Sequence, residues 1–436
     1  MNELRIGLLL LPMLMAPVAV AQNKGGQTGT GIVVAKVLWA QHLEAGHQLE
    51  RKGNFAEAEK EYLAAVEEAE RVESGEPALF RCLNYLAVFY GHQRRFAAAE
   101  QVSGRMLVLA ERLYGPEDPA TATALNNLAA SRCAQGQPGD YESVFRRVLA
   151  IRERAFGPDS VEVADVLQTL AVFYRSRGRY SEAERLSRHC LAIVEKTVGP
   201  EHPRVALSLS NLALVYYNQG LYAKAEPLLV RALAIREKTL PSEHPELAIA
   251  LNSLASVYSY RGRYAEAESL HRRALAIEEK ALGPDHPDMA AALNNLAEVF
   301  RAQGRFEDAE PLYRQALAIW EKSAGTSDPG TAATLGNLAG LYRQQGRYAE
   351  AEPLFQQALG IREKAGRDQE QLPLARLLAR YALLLRETKR KGQAKKLEAR
   401  ARGIVQRLEG RDYARFTIDI HALAKDPNAY SLRDPQ

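Results

Sequence analysis

The sequence predicts an all-α fold, a right-handed superhelical solenoid of about nine helix-turn-helix repeats, and three periodic features predict it. Glycines recur every 42 residues at Gly136, Gly178, Gly220, Gly262, Gly304 and Gly346. Leu149, Leu191, Leu233, Leu275, Leu317 and Leu359 keep the same step, each opening a Leu-(Ala/Gly)-Ile run. Alanines stand seven positions before the turn glycines (Ala129, Ala171, Ala213, Ala255, Ala297, Ala339) and five after most of them (Ala183, Ala225, Ala267, Ala309, Ala351). A unit of about forty residues copied along a chain is the signature of a repeat array. Such an array buries a core between neighbours and displays a long surface, which suits binding better than chemistry.

The N-terminus follows a different logic. Met1 to Arg5 carries a positive charge, Ile6 to Met15 is an apolar run, and Ala19-Val20-Ala21 matches a small-x-small cleavage site, so residues 1–21 read as a secretory signal peptide. The apolar run is shorter than the roughly 20 residues a membrane span needs. Residues 22–34 then read as a flexible linker, with four glycines between Asn23 and Gly31. The array is expected over 35–408, and residues 409–436 as a C-terminal helix and tail. The protein is therefore expected to be exported, periplasmic or secreted, with no transmembrane segment after cleavage.

Within one unit the residue types explain the elements. Asp328-Pro329 starts a helix, because Asp caps exposed N–H groups and Pro is pre-set for the first helical position. Leu335, Leu338, Ala339 and Tyr342 follow at helical spacing, Gly346 ends the helix, and Tyr348 opens a second one through Ala351, Phe355, Ala358 and Leu359. The in-register alanines allow close helix approach while aromatics near the turn fill the gap. The first unit keeps Gly46, Gly53, Phe55 and Ala58; the second has Arg94 at the turn; the last has Lys389 there. Atypical end units are expected of caps. The third unit departs internally at Arg132, Pro138 and Tyr141 and reads as a weak joint.

The string Gly283-Pro-Asp-His-Pro, Leu293-Asn-Asn-Leu-Ala, Gln303-Gly-Arg-Phe, Ala309-Glu310 and Ala316-Leu-Ala-Ile resembles the kinesin-light-chain type of tetratricopeptide repeat. The resemblance covers roughly Ala35 to Gln406 and is strongest from Ser160 to Lys364. It implies that the first helix of each unit lines a groove. No heptad-patterned coiled coil precedes the repeats, and with a signal peptide in its place a motor-transport role is not expected.

Formal charge is +4 from 57 basic and 53 acidic residues, which with no evident basic block gives no case for a nucleic-acid partner. Three cysteines cannot all pair internally; Cys82 and Cys190 read as small core residues and Cys133 as the one facing solvent. His202, His244 and His286 alternate with Asp118, Ser160 and Asp328 directly before helices, so they read as N-caps instead of metal ligands. The Ala-Glu and Glu-Lys pairs read as solvated faces. No nucleophile elbow, phosphate loop or paired carboxylates stand outside the repeat register, so no enzyme, metal or cofactor is expected.

The amides are the candidate site. Asn126, Asn127, Gln168, Thr169, Ser210, Asn211, Asn252, Ser253, Asn294, Asn295 and Asn337 occupy the middle of successive first helices, where Asn is a poor helix former. An amide both donates and accepts, which suits an extended peptide backbone. The bland account is that these amides bond to the neighbouring unit. Arg175, Tyr217, Glu298, Arg301 and Arg343 lie further along the same helices and would add specificity. Two functions follow. One is a non-enzymatic scaffold or adaptor that binds a protein, peptide or helical segment in the concave groove. The other is a structural or self-associating solenoid with no dedicated groove.

Overall fold

The computed structural model describes residues 30–51, 54–72, 75–93, 95–323, 328–365, 371–409, 416–418 and 430–432. The signal-peptide reading of 1–21 and most of the linker lie outside these residues. Among the described residues eighteen helices follow one another, beginning with α1 Thr30–Arg51, α2 Phe55–Arg71, α3 Glu76–His92, α4 Phe96–Tyr114, α5 Pro119–Ala134, α6 Tyr141–Phe156, α7 Val161–Ser176, α8 Tyr180–Val198 and α9 Pro203–Asn218. They continue as α10 Tyr222–Thr239, α11 Pro245–Tyr260, α12 Tyr264–Leu282, α13 Pro287–Ala302, α14 Phe306–Ser323, α15 Pro329–Gln344, α16 Tyr348–Ala365, α17 Gln371–Glu387 and α18 Lys391–Glu409. Within each of the chain's two compact units, consecutive odd and even helices form hairpins and successive hairpins pack on one another, as an all-α repeat array requires.

Two expectations at the ends are corrected. The linker was read through residue 34, but α1 already begins at Thr30, because Val33 to Leu38 is a continuous helix-compatible run. A helix was expected after 408, but the described residues there form two short antiparallel strands, β1 Phe416–Ile418 and β2 Tyr430–Leu432. Phe416, Ile418, Tyr430 and Leu432 are residue types that suit strands. No helix among the described residues is long and apolar enough to cross a membrane.

Local sequence fixes the helix ends. The six periodic glycines all take φ between +71° and +75°, a conformation an L side chain resists. At Gly262 the Arg263 N–H then reaches back to the Tyr258 carbonyl at 2.9 Å, closing the helix end. The last turn does the same with Lys389 at φ +65°, the one non-glycine at positive φ among the described residues. The N-cap reading of the histidines holds: Nδ1 of His202, His244 and His286 accepts the N–H two residues on, at 3.1, 3.2 and 3.2 Å. Asp118 and Asp328 do this through Oδ1 at 2.7 and 2.6 Å.

The chain divides into two compact units, with the boundary between Val172 and Phe173 inside α7. In the first, Tyr62, Phe80, Phe89, Met106, Phe145 and Ile151 are buried between hairpins. In the second, Leu212, Leu229, Leu251 and Ile277 form one core and Phe300, Tyr313, Leu338, Phe355 and Leu378 another. The expected close approach of alanines is present where Ala255 and Ala267 share a cluster with Val299. The third hairpin, α5–α6, packs more thinly than α1–α2 and α3–α4 of the same unit; Tyr141 is buried where others have Ala, and its hydroxyl donates to the Gln137 carbonyl at 2.9 Å.

Candidate functional site

Within each unit the odd helices approach one another directly: α1 with α3 and α3 with α5, then α11 with α13, α13 with α15 and α15 with α17. No even helix approaches the even helix of the next hairpin to that extent. Within each unit the odd helices therefore meet one another along one face of the stack. Their contact has a fixed register, in which residue n meets residue n+43 of the next hairpin. Asn127 Nδ2 donates to Asn84 Oδ1 at 2.9 Å, and Asn337 Nδ2 to Asn294 Oδ1 at 3.2 Å. Arg380 Nη1 donates to Asn337 Oδ1 at 2.9 Å, and Arg301 Nη1 to Gln344 Oε1 at 3.0 Å. The rings of Tyr217 and Tyr260 meet edge-on at 5.5 Å by the same step.

The residues read from sequence separate into three groups. The first is buried and bonded inside the array. Besides the pairs above, Thr169 Oγ1, Ser210 Oγ and Ser253 Oγ donate to carbonyls one turn back, those of Asp165, Ala206 and Ile249, at 3.2, 2.8 and 2.8 Å. Ser210 Oγ also accepts Arg236 Nη1 at 3.0 Å. Gln168 is buried too. For Asn127, Asn294, Asn337 and these hydroxyls, an open groove surface is corrected to a seam between first helices, because neighbouring odd helices come close enough to enclose a short side chain.

The second group is buried with unmet hydrogen-bonding capacity. Asn211 is 3% exposed and neither its Oδ1 nor its Nδ2 has a partner. Asn126 Oδ1 and Asn294 Nδ2 are also buried without one, although Asn126 Nδ2 reaches Asn127 Oδ1 at 3.4 Å. An unsatisfied buried amide costs about 1–3 kcal/mol, so each of these calls for an explanation.

The third group is half-buried: Arg175, Tyr217, Asn252, Asn295, Glu298, Arg301 and Arg343. Asn252 Oδ1 lies 2.8 Å from His271 Nδ1, and its Nδ2 donates to Glu278 Oε1 at 3.1 Å. His271 is 2% exposed, and burial pushes its imidazole down to about 4. Tyr217 packs with Tyr222 and Tyr260, whose rings stack at 4.9 Å. Glu298 receives Arg301 through Nε at 3.0 Å and Nη2 at 2.9 Å, and also the Tyr313 hydroxyl. Burial alone would raise the Glu298 carboxyl, but Arg301 and then Arg380 hold it at about 2. A Cβ on Gly340 would sit 2.1 Å from Arg380 Nη2, so this glycine is what lets the guanidinium into the cluster. Arg343 donates to Glu387 at 2.6 Å.

Sequence reasoning missed His271, Glu278 and Arg380, because each departs from its own repeat position, and it missed Asn84, although that residue stands 42 positions before Asn126 in the same amide series. It also misread the Ala-Glu pairs. Five of these glutamates accept the arginine just after the next turn: Glu59 from Arg95 at 2.5 Å, Glu226 from Arg263 at 2.9 Å, Glu268 from Arg305 at 2.8 Å, Glu310 from Arg347 at 2.7 Å and Glu352 from Arg390 at 2.6 Å. The same arginines lie over the rings of Tyr90, Tyr258, Phe300 and Tyr342 at 4.5, 4.0, 4.2 and 3.9 Å. This clamp joins successive hairpins. Where Leu221 replaces the arginine, the tyrosine bond that also accompanies the clamp at Glu59, Glu310 and Glu352 remains, Tyr216 donating to Glu184 at 2.8 Å. Cys82, Cys133 and Cys190 are all buried, which corrects the expectation of an exposed Cys133; its small thiol tucks against the packed hairpin. Among the described residues no group of His, Cys, Asp and Glu could hold a metal ion.

The tetratricopeptide-repeat family model matches residues 79–153, 122–196, 162–238, 246–322, 288–364 and 330–407. Among solved structures, a Podosopora anserina kinesin light chain with nearly identical TPR-like repeats is 34% identical, with a TM-score of 0.40 over 45% of this chain and 94% of that one. BtubC (BKLC) from P. vanneervenii is 24% identical, with a TM-score of 0.42 over 54% and 92%. Rap protein, solved with Competence and Sporulation Factor, is 15% identical, with a TM-score of 0.50 over 86% and 99%, a likeness of fold alone. A search of curated proteins finds no match to the chain.

Proposed function

This chain belongs to the tetratricopeptide-repeat family, and we propose that it is a non-enzymatic interaction scaffold whose odd-helix face holds an extended segment of a partner protein. Asn211 carries the reading: an amide 3% exposed, with no partner at either atom, sits at the repeat position where Asn127, Thr169, Ser253 and Asn337 are bonded. A peptide backbone supplies the donor and acceptor this amide lacks. Half-buried Asn295 offers a second amide, and Tyr217, Arg301 and Arg343 border the row. Binding there requires the odd helices to part slightly, against the Tyr217–Tyr260 ring contact and the Leu212–Leu254 core.

The scaffold is further proposed to act outside the cytoplasm, after cleavage following Ala21. The intact mass of protein from the cell envelope should place its N-terminus at Gln22, and a retained Met1 in cytosolic protein would refute export. For the binding reading, partners are co-purified on immobilised wild-type protein and on the Asn211→Ala/Asn295→Ala variant. Selective loss of one partner from a variant that melts normally supports the groove. Unchanged retention of every partner refutes it.

A further inference from the structure

Two side chains of α12 determine which amide of the odd-helix row stays free. At a closed seam an asparagine of one odd helix meets the asparagine 43 residues on, as Asn84 meets Asn127 and Asn294 meets Asn337. The same step sets Asn295 opposite Asn252, yet Asn295 is half-buried and makes no side-chain hydrogen bond among the described residues. The reason lies in α12. His271 Nδ1 donates to Asn252 Oδ1 at 2.8 Å, and Asn252 Nδ2 donates to Glu278 Oε1 at 3.1 Å, so both polar atoms of this amide are drawn into their own hairpin.

The closed seams lack this pull. Where α12 has His271 and Glu278, α4 has Ser103, whose hydroxyl is buried without a partner, and Ala110. In α14 the two positions hold Tyr313, which gives its hydroxyl to Glu298, and Trp320. Asn84 and Asn294 accordingly keep Oδ1 for the next odd helix. Among the described residues an imidazole and a carboxylate stand together at these two positions in this hairpin alone. A second feature marks the same seam. Ile249, one turn before Asn252, is 48% exposed, and no other odd helix leaves a large apolar side chain as open among the described residues.

We propose that His271 and Glu278 are positioning residues that hold the α11–α13 seam open, so that Asn295 takes one peptide unit of a partner segment and Ile249 takes an apolar side chain next to it. Asn295 Oδ1 accepts that unit's N–H and Nδ2 donates to its carbonyl, the pairing that an amide side chain and a peptide group share. This rests on the groove proposed above and fixes where in the second unit the segment is read. His271 and Glu278 are themselves buried and act through Asn252. Without them Asn252 turns to Asn295, as Asn294 does to Asn337, and the seam closes. Covering Ile249 adds an apolar contribution that the amide alone lacks.

The test uses the full chain and acetyl-Ala-Leu-Ala methylamide, which brings peptide groups and one long aliphatic side chain but no charge. In the wild type the Asn295 side-chain NH2 resonances should shift saturably as this peptide is added. His271→Phe/Glu278→Val installs residue types that other hairpins carry at these positions, at Phe355 and Val194. It should bind the peptide about fivefold more weakly, the equivalent of one hydrogen bond. Its Asn295 NH2 protons should exchange more slowly with solvent, because Asn252 now engages them. His271→Gln/Glu278→Gln keeps a donor and an acceptor for Asn252 and should bind as the wild type does, a rescue that packing alone does not give. If the first variant fails to fold, Glu278→Ala, the residue type of Ala110, should still weaken binding severalfold. Binding as tight as the wild type's by either folded variant, His271→Phe/Glu278→Val or Glu278→Ala, would overturn the proposal. A peptide that moves Asn211 and leaves Asn295 unmoved overturns this assignment but spares the groove; one that moves neither amide sinks both.

Discussion

Replacing His271 with Phe should remove an acid-sensitive weakness from one hairpin. His271 is 2% exposed in α12, where the equivalent residues Phe145 and Phe355 are fully buried, so a phenyl ring suits the position. Burial lowers the folded imidazole to about 4 from 6.5. The sign follows directly. Below 6.5 the unfolded chain takes up a proton that the folded one refuses, so the contribution is intact above 6.5 and lost as pH falls toward 4. Between pH 7.5 and pH 5 the two pKa values imply a loss of about 2 kcal/mol, nearly all of it below pH 7. Repeat arrays open regionally, so the fitting assay is native-state hydrogen exchange of α11 and α12 amides at the two pH values. The wild type should lose about 2 kcal/mol more local stability than His271→Phe on going to pH 5. The variant's stability at pH 7.5 does not enter this difference, although Asn252 loses a partner. If both proteins lose the same stability, the buried imidazole is not the acid-sensitive group and the reasoning fails.

Other outcomes follow from the same contacts. Lys389→Gly should raise the melting temperature by the equivalent of up to about 1 kcal/mol, because glycine relieves the positive φ at some cost in unfolded-chain entropy; a lowered melting temperature would contradict this. Glu310→Ala strips the acceptor from Arg347, Arg314 and Tyr342 and should cost roughly 1–2 kcal/mol by denaturant titration, less in high salt. An unchanged midpoint would show that the inter-hairpin clamp is ornamental. Asn337→Ala leaves Asn294 and Arg380 each short of a partner and should destabilise the array by about 1–3 kcal/mol in the same titration. Hydrogen exchange should show Asn126 to Val148 opening more readily than Ser210 to Lys238, and equal protection would argue against a weak third hairpin.

The features legible in the sequence are those that local backbone chemistry forces. A positive φ calls for glycine, a helix start calls for a cap, and hairpins that meet closely call for alanine, so Gly262, His244 and Ala267 announce their roles by type and spacing. The clamp between Glu268 and Arg305 was less legible, since its partners stand 37 residues apart and each looks solvated alone. The constant offset between Ala-Glu and the arginine after the next glycine was the signal that could have found it. The amides were recognised as unusual, but which way they pointed depends on the n+43 register of packed helices, and one unit's sequence does not encode that register. His271, Glu278 and Arg380 escaped because periodicity highlights what repeats, whereas each occurs once at its position.

The most direct test of the scaffold reading is calorimetric titration of a co-purified partner into wild-type protein and Asn211→Ala, with the melting temperature of each recorded alongside. Asn211 makes no internal hydrogen bond, so its removal should leave melting unchanged or slightly raised while weakening the partner up to about tenfold. Normal affinity in a variant that melts well below the wild type would contradict the account, making Asn211 a packing residue and moving the interaction surface elsewhere.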